Sequence, residues 1–205
     1  MLIFLKFFDL SVLSFMKKSL LLIGLTALLS FSLWAQKVPS VLIAYYSPSG
    51  STKAMAESIA EGAKTVAGVQ VRVVPIDQVS PADLLGAGAI VVGSPVYNGN
   101  VAPAVQEFIN SWPFADRPLK NKLGAAFATG GGISIGEEQV MLGILHSMLI
   151  HGMLVLGGEE AEAAFGASAI TGEAPFGSGK VEEQFLVKGR GLGKRVATLL
   201  AAQKH

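Results

Sequence analysis

The chain has 205 residues, 51% of them hydrophobic and 15% charged, with a formal net charge of +1. That length fits one domain of ordinary size, or one domain plus a processed leader. The absence of cysteine excludes disulfides, thiolate metal sites and a cysteine nucleophile together, and the charge balance offers no basic surface of the kind nucleic acid requires.

Much of the apolar excess lies before residue 36. Lys17 and Lys18 precede an uncharged stretch over residues 19–34, which closes on Leu33-Trp34-Ala35 before Gln36. A basic start, an apolar middle and a small residue at the end form the pattern of a secretory signal. The stretch is shorter than the roughly 20 residues of a membrane span, and no second apolar segment follows it. Cleavage after Ala35 is therefore expected, with only transient membrane contact. Residues 1–15 sit ahead of this signal, and Met16-Lys17-Lys18 makes a more ordinary beginning. Neither a twin-arginine pair nor a lipid-attachment cysteine is present, which points to export unfolded by the general route. The expected organisation is a signal segment over residues 1–35 and one domain over 36–205, and the expected location is the periplasm. The mature part holds 13 basic and 14 acidic residues, a net charge of −1.

Beyond the leader, apolar strand-like runs alternate with helix-like segments. The expected strands cover residues 41–46, 69–76, 87–93, 123–129 and 153–157. Helices are expected over 51–66, 102–111, 136–151 and 181–203, where apolar residues recur at helical spacing. Trp112 and Phe108 fit the core face of the helix over 102–111. This alternation predicts an α/β fold, a doubly wound five-stranded parallel sheet covered on both faces. Ligands of such folds bind at the carboxyl ends of the strands, near the point where strand order reverses. Three loops at that end carry the chemistry.

The first is Ser47-Pro48-Ser49-Gly50-Ser51-Thr52, placed where the first helix begins. Free backbone N–H groups, the helix dipole and short hydroxyls together make a phosphate cradle, and Gly50 allows close backbone approach. The spacing matches neither the nucleoside-triphosphate loop nor the dinucleotide glycine motif. The same residues also read as a hydroxyl-rich helix cap. The second loop, after the third strand, contains Ser94-Pro95-Val96-Tyr97-Asn98-Gly99-Asn100. An aromatic among Asn and Gly suits stacking and edge hydrogen bonds to a flat heteroaromatic ring, or is a turn with a surface tyrosine. The third, Thr129-Gly130-Gly131-Gly132, permits backbone close to a ligand or serves as a plain connection. The three together favour a ligand.

These residues resemble the flavodoxin-like FMN proteins, and within them the type IV NAD(P)H:quinone oxidoreductases, over residues 40–203. Residues 47–52 resemble the family's phosphate loop and residues 94–100 its isoalloxazine loop. Gly124 to Phe127, Gly130 to Gly132, His151-Gly152-Met153 and Pro175-Phe176-Gly177 are similar to the quinone-reductase branch. That branch carries a polar residue near Val96 and Gly-Gly-Gln-Glu where this chain has Ile135-Gly136-Glu137-Glu138.

The resemblance implies strand order 2-1-3-4-5 and FMN as cofactor. Its phosphate would lie against Ser47, Ser49, Gly50, Ser51 and Thr52, and its ring against Pro95, Val96, Tyr97, Asn98, Gly99 and Asn100 with Thr129, Gly130, Gly131 and Gly132. Tyr97 is the expected stacking partner. No side chain is named as catalytic and none as a metal ligand, because the flavin ring itself accepts and passes on electrons. The implied partners are NAD(P)H or a redox protein as donor and a quinone-like acceptor, and a homo-oligomer is allowed for. The alternatives are an exported electron carrier between proteins, or a domain of this fold without FMN that serves interaction.

Two patterns mislead. Residues 176–180 look like a phosphate loop but lack its first glycine, where Ala174 stands. His146 and His151 lie in an apolar helical stretch and read as structural residues rather than ligands or a base.

Overall fold

The computed structural model describes residues 38–177 and 179–203; the expected signal over residues 1–35 lies outside the described residues. The strands are β1 (Ser40–Tyr45), β2 (Gln70–Pro75), β3 (Ala89–Tyr97), β4 (Asn100–Val101), β5 (Leu123–Gly130), β6 (Leu154–Val155) and β7 (Ala167–Ile170). The helices are α1 (Ser51–Lys64), α2 (Pro81–Gly86), α3 (Pro103–Asn110), α4 (Glu137–Ile150) and α5 (Glu183–Ala202).

The sheet order is β2-β1-β3-β5-β6, all parallel, with β7 also pairing β5 and β4 pairing β3 antiparallel. Its central strands are apolar runs buried on both faces, as parallel sheets require. Side chains of β5 alternate between two cores. Ala125 and Phe127 pack with Met55, Ile59 and Ala63 of α1 and with Leu192, Val196 and Leu200 of α5. Ala126 and Ala128 pack with Val105 and Phe108 of α3 and with Val140, Ile144 and Met148 of α4. The i, i+4, i+8 spacing of Met55, Ile59 and Ala63 is what turns one stripe of α1 onto the sheet.

Helices α1 and α5 approach backbone to backbone. A side chain at Gly62 would collide with the Arg190 carbonyl, and one at Gly193 with the Ile59 carbonyl. Glycine is needed at both crossings because no side chain fits between the two helices.

Three features depart from the sequence expectation. The expected fifth strand over 153–157 is only Leu154–Val155, and the pairing with β5 resumes at β7, Phe127 to Gly130 facing Ala167 to Ile170. Residues 156–166 leave the sheet between the two halves, because Gly157 and Gly158 turn the chain against Ala163 and Ala164. The third strand runs on to Tyr97 rather than stopping at Gly93, since β5 continues to pair with it at Ser94 and Pro95. Helix α2 was not anticipated. It is short, and a capping box starts it: the Asp83 N–H donates to Ser80 Oγ while the Ser80 N–H donates to Asp83 Oδ2 at 2.8 Å. Those Ser80 donors, and the Arg72 guanidinium beyond them, hold the Asp83 carboxyl below its usual range.

Candidate functional site

The carboxyl ends of β1, β3 and β5 bring the three loops together. Residue 46 follows β1, and its N–H donates to the Gly93 carbonyl at 3.2 Å. The chain then turns into α1 at Gly50, which has φ of 92°. That left-handed conformation, rather than a blocked Cβ, is what demands glycine, since a Cβ there would meet nothing within 4 Å. The expected reason for Gly50, room for close approach, is thus supplemented by a backbone one. Gly50, the N-cap residue of α1, has no side chain to cap it. Instead the Lys53 N–H donates to Ser47 Oγ at 3.0 Å and the Ala54 N–H to the Gly50 carbonyl at 3.0 Å. Ser47 is half-buried and Ser49 exposed, while Ser51 and Thr52 are buried.

The second loop is a hairpin. Val96 faces Val101 and Tyr97 faces Asn100, and the two turn residues, Asn98 at φ 50° and Gly99 at φ 74°, are both left-handed. Asn-Gly is the pair such a two-residue turn selects. Asn100 Nδ2 donates to the Asn98 carbonyl at 2.9 Å. Behind the hairpin, fully buried Ser94 accepts from the Ala102 N–H at 3.0 Å and donates to the Pro95 carbonyl at 2.8 Å, so it braces the loop from below. Tyr97 is 40% exposed. Desolvation first, and the neighbouring Tyr46 phenol second, push its own phenol above the ordinary 10.0.

The third loop touches both others. Thr129 Oγ1 lies 2.8 Å from Thr52 Oγ1, both groups buried. Gly136, at φ 113°, approaches the hairpin so closely that a Cβ on it would sit 2.9 Å from the Gly99 Cα. Gly130 is buried, Gly131 is exposed and Gly132 half-buried. The Ile133 N–H donates to Glu173 Oε2 at 2.7 Å, which pins the loop to a segment 40 residues away. Every expected site residue therefore lies in one of three loops that meet at one end of the sheet.

Three residues near the site escaped the sequence reading. Tyr46 beside Tyr97 had a signal, an aromatic at the carboxyl end of a central strand. Glu137 stands at the first position of α4, where an acid reads as an exposed dipole partner, yet it is 4% exposed. Glu173 had no local signal at all.

A cleft of about 700 Å³ opens beside the first loop, lined by Tyr46, Ser47, Pro48, Lys53, Asp77 and Glu107 among others. It contains Ser47 but none of the hairpin or glycine-loop residues. This cleft thus lies between the first loop and α3.

His151 is 7% exposed and its ring packs between Trp112 at 5.4 Å and Phe114 at 5.3 Å between centroids. It lies in the core beneath α4, away from the loops, and His146 is exposed. Burial first, and Arg117 second, push His151 below the ordinary 6.5. Trp112 and Phe108 are buried as expected, edge to face at 5.6 Å.

A parallel sheet of this order, with a hydroxyl-rich turn, an aromatic hairpin and a glycine loop at its carboxyl edge, defines a flavodoxin-like α/β protein. The flavodoxin domain model matches residues 42–141. A flavodoxin of Aquifex aeolicus is 34% identical over 122 residues, which cover 57% of this chain and 64% of that protein. An NAD(P)H dehydrogenase (quinone) of Sinorhizobium fredii is 32% identical over 163 residues, covering 69% of this chain and 82% of the relative. The solved structure of a flavodoxin, WrbA-like protein from Agrobacterium tumefaciens shares the fold, with TM-score 0.66, 22% identity, and coverage of 81% of this chain and 99% of that one. The chain belongs to the flavodoxin family. Its cofactor is FMN, as that membership implies.

The residues present fit that group. The turn into α1 leaves open space above Gly50 at the helix start, where a phosphate is favoured, and Ser47 Oγ reaches the same turn at the Lys53 N–H. A Cβ at Gly131 would likewise meet nothing within 4 Å, so the third loop presents bare backbone.

Proposed function

We propose that this chain is an FMN-dependent oxidoreductase that passes two electrons from NAD(P)H to a quinone-like acceptor. The observation that carries the reading is the apolar rim of the loops: Tyr97, Ile133 and Ile135 are 40%, 47% and 39% exposed around the hairpin and the glycine loop. Exposed apolar side chains gathered at a functional edge suit a flat apolar acceptor better than a charged one. The name of the Sinorhizobium relative agrees.

In this reading Ser47, Ser49, Gly50, Ser51 and Thr52 hold the phosphate. Tyr97 stacks on the ring, residues 95–100 meet its edge, and residues 129–132 close over it with backbone groups. Bound FMN supplies the electron-accepting and electron-donating ring. The chain's own part is to orient that ring, keep Tyr97 in place through Tyr46, and leave one face to the rim.

A carrier between proteins is the second reading. Carriers dock through strong complementary charge, and the part after residue 35 carries a net of only −1, which favours the enzyme. We further propose export to the periplasm with cleavage between Ala35 and Gln36, supported by the Lys17-Lys18 and apolar pattern of the leader. Intact mass of protein from an export-competent host checks this; retention of residues 19–35 overturns it.

Steady-state assays with NADH or NADPH and a soluble benzoquinone, paired with anaerobic stopped-flow reduction of the flavin, test the enzyme. Fast reduction by nucleotide and fast reoxidation by quinone are expected. A flavin that nucleotide does not reduce, yet that passes electrons onward after chemical reduction, would replace NAD(P)H with a redox protein as donor.

A further inference from the structure

Glu137 is buried, yet its Oε1 has no hydrogen-bond partner among the described residues. It is the first residue of α4, directly after Gly136, and no side chain caps that helix. The carboxylate packs on Gly130 of the third loop: a Cβ on Gly130 would collide with Oε1 and come 2.8 Å from Cδ. A buried carboxylate oxygen without a partner is costly. The positive end of the α4 dipole offsets part of that cost. Burial alone would be served as well by a methionine, so what the acid adds at this place is a charge directly under the glycine loop.

We propose that Glu137 lowers the reduction potential of the flavin held by the loops above it. The inference rests on reading those loops as the FMN site. At neutral pH, two-electron reduction with uptake of one proton adds one negative charge to the bound flavin. A carboxylate this buried, with Oε1 out of contact with water, is screened little, so it repels that added charge. Oxidised FMN gains no such charge at its ring. The reduced form is therefore bound more weakly, relative to the oxidised form, than it would be over a neutral side chain. Two other acids, one next in the chain and one hydrogen-bonded to the third loop, differ in this respect. Glu138 is exposed, and Glu173 is exposed with its Oε2 occupied by the Ile133 N–H.

The test is the midpoint potential of the FMN-loaded protein, measured anaerobically by dye equilibration for the wild type, Glu137→Gln and Glu138→Gln, with the dissociation constant of oxidised FMN taken alongside. Glu137→Gln keeps the side chain's shape and removes its charge. It is expected to raise the ratio of reduced to oxidised FMN affinity about tenfold, an upward shift of about 30 mV for a two-electron couple. Glu138→Gln, which removes the same charge from water-exposed surface, is expected to change that ratio less than about threefold. Should Glu137→Gln fail to fold by circular dichroism, Glu137→Met gives the same reading with no polar atom to satisfy. A potential that Glu137→Gln leaves unmoved, or moves no more than Glu138→Gln does, overturns the role of Glu137 while the FMN site stands. Failure of the wild-type chain to bind FMN at all overturns both.

Discussion

Thr52 Oγ1 and Thr129 Oγ1 lie 2.8 Å apart, and their hydrogen bond joins the start of α1 to the end of β5 across 77 residues of chain. Both side chains are buried, so neither hydroxyl has water as a substitute. Thr52→Val or Thr129→Val alone leaves a buried hydroxyl unpaired and should cost about 1–3 kcal/mol in urea denaturation. The double variant should cost clearly less than the two singles added together, because no unpaired group remains. Simple additivity would show that the pair does not couple the loops.

Gly50 tests the phosphate reading. Its φ of 92° strains any residue with a Cβ by about 1–2 kcal/mol, so Gly50→Val should shift the turn and raise the FMN dissociation constant. Riboflavin, which lacks the phosphate, should be affected much less. Titration of the apo-protein with both ligands checks this. Equal binding of FMN and riboflavin by the wild type would remove the phosphate role from residues 47–52.

Tyr97 and Tyr46 are separable. Tyr97→Ala should weaken FMN binding by about 1 kcal/mol through loss of the aromatic pair and alter the flavin spectrum. Tyr46→Phe keeps a ring but removes the hydroxyl that helps raise the Tyr97 phenol. It should leave most of the affinity and move the Tyr97 phenol back toward 10.0, read by ultraviolet titration. Unchanged affinity and spectrum in Tyr97→Ala would place the ring elsewhere, and the cleft lined by Tyr46, Ser47 and Lys53 would be the next location to test.

His151 makes stability depend on pH. Burial and Arg117 hold it below the ordinary 6.5, so it is neutral in the folded protein while the unfolded chain takes up a proton. Its contribution is fully present above pH 6.5 and is lost as pH falls from there toward the lower folded value. The urea midpoint of the wild type should therefore drop over that window. His151→Phe, which keeps an aromatic ring between Trp112 and Phe114, should flatten the drop. An equal slope in both proteins would assign the pH dependence to other groups.

The parallel sheet and the placement of the three loops were legible in the chain, and the family resemblance supplied the strand order. Apolar runs such as residues 41–45 and 123–128 have one stable setting, a strand buried on both faces. The helical stripe of Met55, Ile59 and Ala63 supplies the cover. The turn chemistry was also local: Gly50, and the Asn98-Gly99 pair, mark left-handed backbone wherever they fall. The fifth strand was read only in part, because its two short halves are defined by pairing with β5 rather than by their own residues, and two residues such as Leu154 and Val155 carry little periodicity.

The sequence by itself determined the fold class and the common edge of the three loops, since apolar pattern and turn residues act over a few neighbours. Tertiary structure alone decided which distant groups share that edge. Thr52 meets Thr129, Ile133 meets Glu173, Tyr46 meets Tyr97, and Glu137 turns inward under Gly130 instead of outward to water. Such pairings depend on how β1, β3 and β5 stagger and on how closely glycine backbones pack. A hydroxyl or carboxyl has no way of recording, in its immediate neighbours along the chain, whether its partner across the sheet will exclude water.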